Sequence, residues 1–134
     1  MVHTLTFTVR TRGRTDIVDI TRQVAAAAQG SGTATVFVPG STAGVTTIEN
    51  EPGLLEDLKE AFERMAPEGR RYHHSETAGD DNGTSHVRAA MLGPSLTVPF
   101  VDGRLLLGTW QQIVLVDFDT RPRTREITVQ VLGE

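Results

Sequence analysis

The chain has 134 residues, 38% hydrophobic and 22% charged, with a formal charge of −4, a pI near 5.5 and no cysteine. That is the size and mix of one globular domain over 1–134, able to bury a core without staples. It excludes disulfides, thiolate metal sites and a cysteine nucleophile, and the lack of any basic run argues against a nucleic-acid partner.

The first stretch, "TLTFTVR", alternates Leu5, Phe7 and Val9 with threonines, the period of a strand with one buried face. It does not place an apolar run after a basic start, so it does not read as a secretory signal. Gly13 in "TRGR" turns the chain, and "DIVDI" follows as a short second strand, expected antiparallel to the first. "TRQVAAAAQGSG" reads as a helix, with Thr21 or Asp19 to cap its start and Gly30 its end. "TATVFVPG" (33–40) and "GVTTIE" (44–49) are strands joined by the small-residue loop "PGSTAG".

"PGLLEDLKEAFERMAP" is the clearest helix. Pro52 suits its first turn, Leu55, Leu58, Phe62 and Met65 form one apolar stripe, and Pro67 ends it. Lys59, the only lysine among 13 basic residues, falls on its polar face. A polar loop then leads to "SHVRAAMLG", a short helix with Ser85 as N-cap and Gly93 as stop. "SLTVPF", "RLLLG", "WQQIVLVDF" and "REITVQVL" are strand candidates, with "VDG" (101–103) a hairpin signal and "DTRPR" (119–123) a turn. The order predicts an α+β domain with an antiparallel sheet or sandwich and helices grouped to one side. No apolar run approaches the roughly 20 residues that cross a bilayer. The expectation is a soluble, cytoplasmic protein with no membrane partner.

Three of the four histidines lie in "YHHSETAGDDNGTSH" (72–86), beside Glu76, Asp80 and Asp81. Histidine is the commonest side-chain metal ligand, and carboxylates complete many sites. His74 and His86 are separated by a loop containing Gly79 and Gly83 that can fold back and bring both rings together. The alternative is a solvated loop whose histidines hydrogen-bond locally. "PGSTAG" either places Ser41, Thr42 and backbone N–H groups around an anion or is a plain turn. Glu49 and Asn50 stand at a strand-to-helix junction. Trp110, the only tryptophan, is expected in the core, with Gln111 on the opposite face.

The stretch "HVRAAMLGPSLTVPFVDGRLLLGTWQQIVLVDFD" resembles the signature region of the YjbQ family, often labelled secondary thiamine-phosphate synthases. "STAGVTTIENEPG", "HHSETAGDDNGTSH" and "VQVLGE" fall in the family's order, so the resemblance covers nearly the whole chain. It implies a β-sandwich-like core with two or three helices packed on it, a homotrimer, and a polar site whose histidines hold a divalent metal, zinc or magnesium. His74 and His86 match the family histidines, Asp81 and Asn82 its "DN" pair, Glu49 and Asn50 its "EN", and Trp110 and Gln111 its "WQ". Gly40 stands where many members carry a histidine. His73 and, less suitably, His3 are the residues that would replace it.

The implied activity joins a pyrimidine-methyl diphosphate to a thiazole phosphate and releases pyrophosphate. His74, His86, Asp81 and Glu49 would be catalytic, with His74 and His86 as metal ligands. Ser41, Thr42, Asn50, Asn82, Trp110 and Gln111 would bind the small phosphorylated ligand. The alternative is a trimer that binds a metal or a phosphorylated ligand without this activity.

Overall fold

A computed structural model describes residues 1–134. The elements are β1 (Val2–Thr11), β2 (Asp16–Asp19), α1 (Thr21–Ala25), β3 (Gly32–Phe37), β4 (Ala43–Ile48), α2 (Pro52–Met65), α3 (His73–Ala78), α4 (Gly83–Leu92), β5 (Ser95–Val101), β6 (Arg104–Leu105), β7 (Gln112–Asp117) and β8 (Arg123–Gly133). All strand pairs are antiparallel. They form a five-stranded sheet, β1-β8-β3-β5-β6, and a three-stranded sheet, β2-β7-β4. The sheets curl into a half-barrel, and the fold is α+β.

The order of layers follows from β7, which is apolar on both faces. Ile113 and Leu115 point into the space between the sheets, where they join Val36, Val98, Phe100, Ile127 and Val129 in a cluster of 16 buried residues. Val114 and Val116 point the other way and pack with Phe62 of α2 and Ala89 of α4. Phe118 extends that second layer, its ring edge-on to Phe62 at 4.8 Å. A strand covered on both faces reads as a continuous apolar run, as "IVLV" does. The outer face of the five-stranded sheet alternates with this core, and threonine is its commonest residue.

Several expectations change. β2 pairs with β7, not with β1, because the turn at Arg14 and Thr15, both at positive φ, swings the chain into the other sheet. α1 is one turn and a half. It ends at Ala25, and its N-cap, Ile20, offers no side-chain bond, although Asp19 Oδ1 accepts from Thr21 N at 2.9 Å. Gly30 falls in the turn beyond the helix. "RLLLG" keeps only two strand residues. Met65 is 48% exposed, outside the stripe's buried part. "VDG" is a tight hairpin as expected, with Asp102 and Gly103 both at positive φ. "DTRPR" carries the chain from one sheet to the other and joins no strand pair.

Candidate functional site

The polar stretch 72–86 is not a simple loop. His73–Ala78 winds into α3, Gly79 closes it in the left-handed conformation, and α4 begins at Gly83, two residues before the expected cap. A side chain at Gly83 would meet Tyr72 Cβ at 2.6 Å, so a glycine is what lets α4 seat on Tyr72. Ser85 is buried inside α4, and its hydroxyl donates to the Phe118 carbonyl. Arg88, 4% exposed, donates to Ala66 O, Thr15 Oγ1 and Glu63 Oε1, each at 3.0 Å. These bonds fix α4 against α2 and the β1–β2 turn.

With α3 and α4 so placed, His74 and His86 meet edge to face, ring centroids 4.8 Å apart at 67°. His86 Nδ1 lies 3.1 Å from the Ser41 carbonyl. A carbonyl only accepts, so Nδ1 carries the hydrogen and a neutral ring keeps its lone pair on Nε2. His74 Nε2 lies 3.1 Å from Asn82 Oδ1, which leaves Nδ1 as its lone-pair nitrogen. Both rings line a groove of about 340 Å³ with Met65, Tyr72 and Val87 as apolar wall and Arg70 and His73 as polar neighbours.

The other expected residues divide. Asn82 and Ser41 touch the histidines directly. Asp81 is exposed and lines a smaller cleft of about 110 Å³ beside Thr84 and Thr120. Thr42 is buried; its hydroxyl accepts from Arg125 Nη2 at 2.7 Å and donates to Asp119 Oδ2 at 3.2 Å. It is spent on structure. Glu49 and Asn50 sit beyond the far end of β4, roughly 20 Å from Ser41 for a strand of six residues. There Asn50 donates to Gln112 Oε1 and to Asp19 Oδ2. Gln111 bonds Thr47 Oγ1 and Gly108 N in the turn before β7. Trp110 is 69% exposed in that turn, not in the core. His3 is on β1, at a different cavity, so in one chain the expected residues gather at the histidine pair and at the far end of β4, while Asp81, Thr42 and His3 stand apart from both.

Sequence reasoning missed a buried ionic network. Arg125 grips Asp117 with Nε at 2.8 Å and Nη2 at 2.9 Å. Thr11 and the Asp119 backbone N–H also donate to Asp117, and Arg123 reaches Asp119 at 3.4 Å. Burial pushes the Asp117 carboxyl up, but the bonds from Arg125, Thr11 and Asp119, with the Arg125 charge, outweigh it and hold it below the usual 3.8. An acid inside the apolar run "IVLVDF" was the available signal, since a buried charge must have a partner.

Comparison with known proteins places the molecule. Residues 5–134 match the family described as "UPF0047 protein YjbQ-like". The chain belongs to this family. A UPF0047 protein of Archaeoglobus fulgidus is 40% identical over 126 residues, covering 93% of this chain and 98% of the relative. One from Methanothermobacter thermautotrophicus is 39% identical over 99% of this chain and 94% of its own. A YbjQ-like protein of unknown function from Sulfolobus solfataricus superposes with a TM-score of 0.87 at 32% identity, covering 100% of both chains. A hypothetical protein of Aeropyrum pernix gives 0.90 at 35%, covering 98% of this chain and 99% of its own. No helix is long and apolar enough to cross a membrane.

The donor chemistry can be tested against the divalent metal that the resemblance implies. Two imidazoles suit zinc rather than magnesium. No third His, Asp or Glu joins them in a cluster. One chain thus supplies two of the four donors a tetrahedral site takes, and these residues do not by themselves fit a closed metal centre.

Proposed function

We propose that this UPF0047 protein is a homotrimer that binds a small phosphorylated molecule in the His74/His86 groove. The observation that carries the reading is the histidine pair. Each ring has one nitrogen fixed by a neighbour and the other free, in a groove with an apolar wall and Arg70 at its rim. As neutral rings these free nitrogens accept from a ligand hydroxyl; once protonated there, the rings can donate to phosphate oxygens and pass that proton to a leaving group. A zinc ion held by His74 and His86 would take its remaining donors from the ligand or from another subunit.

The trimer is supported by the bare face of the five-stranded sheet. Three successive cross-strand rows on it hold no charged residue: Val2, Leu132, Thr33 and Pro99; Thr4, Gln130, Thr35 and Thr97; Thr6, Thr128, Phe37 and Ser95. A charge-free patch on a chain of net charge −4 is where like copies can meet without repulsion.

The transferase reading, joining a pyrimidine-methyl diphosphate to a thiazole phosphate, has a second observation in its favour. Glu49, Trp110 and Gln111 are exposed at the far end of β4, where a neighbouring subunit could use them. Calorimetric titration with a panel of phosphorylated metabolites tests the site. Saturable binding lost in His74→Ala/His86→Ala, with an unchanged melting temperature, is expected. Binding that survives the double substitution would place the site elsewhere.

A further inference from the structure

Resting on the groove as a site for a phosphorylated ligand, we propose that Arg125 is its phosphate anchor, working through Nη1 over Gly40 with the Ser41 hydroxyl as second donor. Arg125 is 5% exposed, and its Nε and Nη2 are committed to Asp117 and Thr42. Nη1 has no protein acceptor, yet no side-chain nitrogen is sealed in without a partner. It is therefore the corner of the guanidinium that meets solvent.

What lies over it is Gly40. A Cβ built there would stand 3.2 Å from Nη1, with nothing else within 4 Å. The missing side chain is thus an opening with a cation at its floor. Gly40 has φ 123, a conformation in which glycine is favoured. The next residue, Ser41, is exposed, and its carbonyl is the one that His86 Nδ1 contacts. Arg125 and His86 therefore stand at two adjacent residues, Gly40 and Ser41.

The charges allow an anion to approach. Asp117 and Asp119 make their contacts with the Nε–Nη2 edge, and Arg123 offsets Asp119. Nη1 lies on the other side of the guanidinium. Its orientation is fixed in advance by the bidentate grip on Asp117, so little side-chain entropy is lost when an oxyanion docks. A phosphate oxygen accepting from Nη1 and from Ser41 Oγ would leave the rest of the ligand beside His86.

The test is titration of the full-length protein with inorganic phosphate, followed by NMR of the Arg125 side-chain N–H signals and of the His74 and His86 ring protons. Arg125 should shift saturably with a midpoint on the order of millimolar, as two or three charge-assisted bonds in an open site provide. Ser41→Ala, an exposed position, should raise that midpoint about tenfold without changing the melting temperature. Gly40→Ala should raise it further. Equal shifts with chloride, or shifts indifferent to both substitutions, overturn the proposal. Histidine shifts with Arg125 silent refute the anchor and leave the groove reading standing. Silence from all three sinks both.

Discussion

Replacing Asp117 by Asn tests whether the buried ionic network is what locks the two sheets together. Asp117 is fully buried on β7 of one sheet, and Arg125 is on β8 of the other. The substitution keeps the shape but removes the charge and puts an amide donor where an acceptor faced Arg125 Nε or Nη2. Arg125 is then a buried cation with Asp119 Oδ2 at 3.8 Å as its nearest remaining carboxylate. Breaking a buried pair by removing one partner costs about 3–5 kcal/mol, and Asp117 also loses acceptance from Thr11 and the Asp119 N–H. For a chain of this length the melting point should fall by roughly 10–20 °C. Thermal unfolding followed by circular dichroism measures that fall, and urea denaturation measures the free-energy loss. The pH dependence supplies a second check. The folded carboxyl titrates below its unfolded value, so its contribution is fully present above about pH 4 and is lost as pH falls through the folded value. The gap between wild type and Asp117→Asn should therefore be constant at neutral pH and narrow in acid. A loss under 1 kcal/mol, or a gap that widens in acid, refutes the reasoning.

His74→Ala and His86→Ala should each change stability by less than about 1 kcal/mol, since both rings are half-exposed; elemental analysis of the same proteins reads out any metal they hold. Arg88→Ala should cost roughly 2–4 kcal/mol by urea titration, because it strips donors from Ala66 O, Thr15 and Glu63 beneath α4. Thr6→Asp with Thr128→Asp, directly paired on the bare sheet face, should convert a trimer to monomers in light scattering while the monomer stays folded. Trp110, as the sole tryptophan and 69% exposed, should emit like a solvated indole in dilute monomer and shift to the blue on assembly if its turn is covered there.

The architecture was largely legible because its signals are local. Period two in "TLTFTVR", Pro52 and the stripe to Phe62, Gly93 and "VDG" each depend on residues within a few positions. What was not legible depends on partners far along the chain. Whether β2 joins β1 or β7 is decided by the positive φ at Arg14 and Thr15, and by burial on β7's two faces, neither of which shows in "DIVDI" itself. The length of α1 was overread for a similar reason. Four alanines favour a helix, but the chain must reach β3 on the opposite sheet, and the turn at Gly30 takes precedence.

The site divides along the same line. That His74 and His86 would come together followed from the loop's glycines, and α3 and α4 bring them to 4.8 Å. Thr42 was misjudged as a ligand donor because nothing near it in sequence reveals Arg125, 83 residues away. The charged run "RPRTRE" looks like a solvated strand end. Only the pairing of β8 in one sheet, opposite β7 in the other, turns one of its arginines inward to meet an aspartate that apolar neighbours would otherwise have made untenable. The same pairing leaves one guanidinium corner beneath Gly40. A guanidinium corner exposed through a missing side chain is a binding device for an oxyanion, and under that proposal the protein should take up inorganic phosphate in preference to chloride.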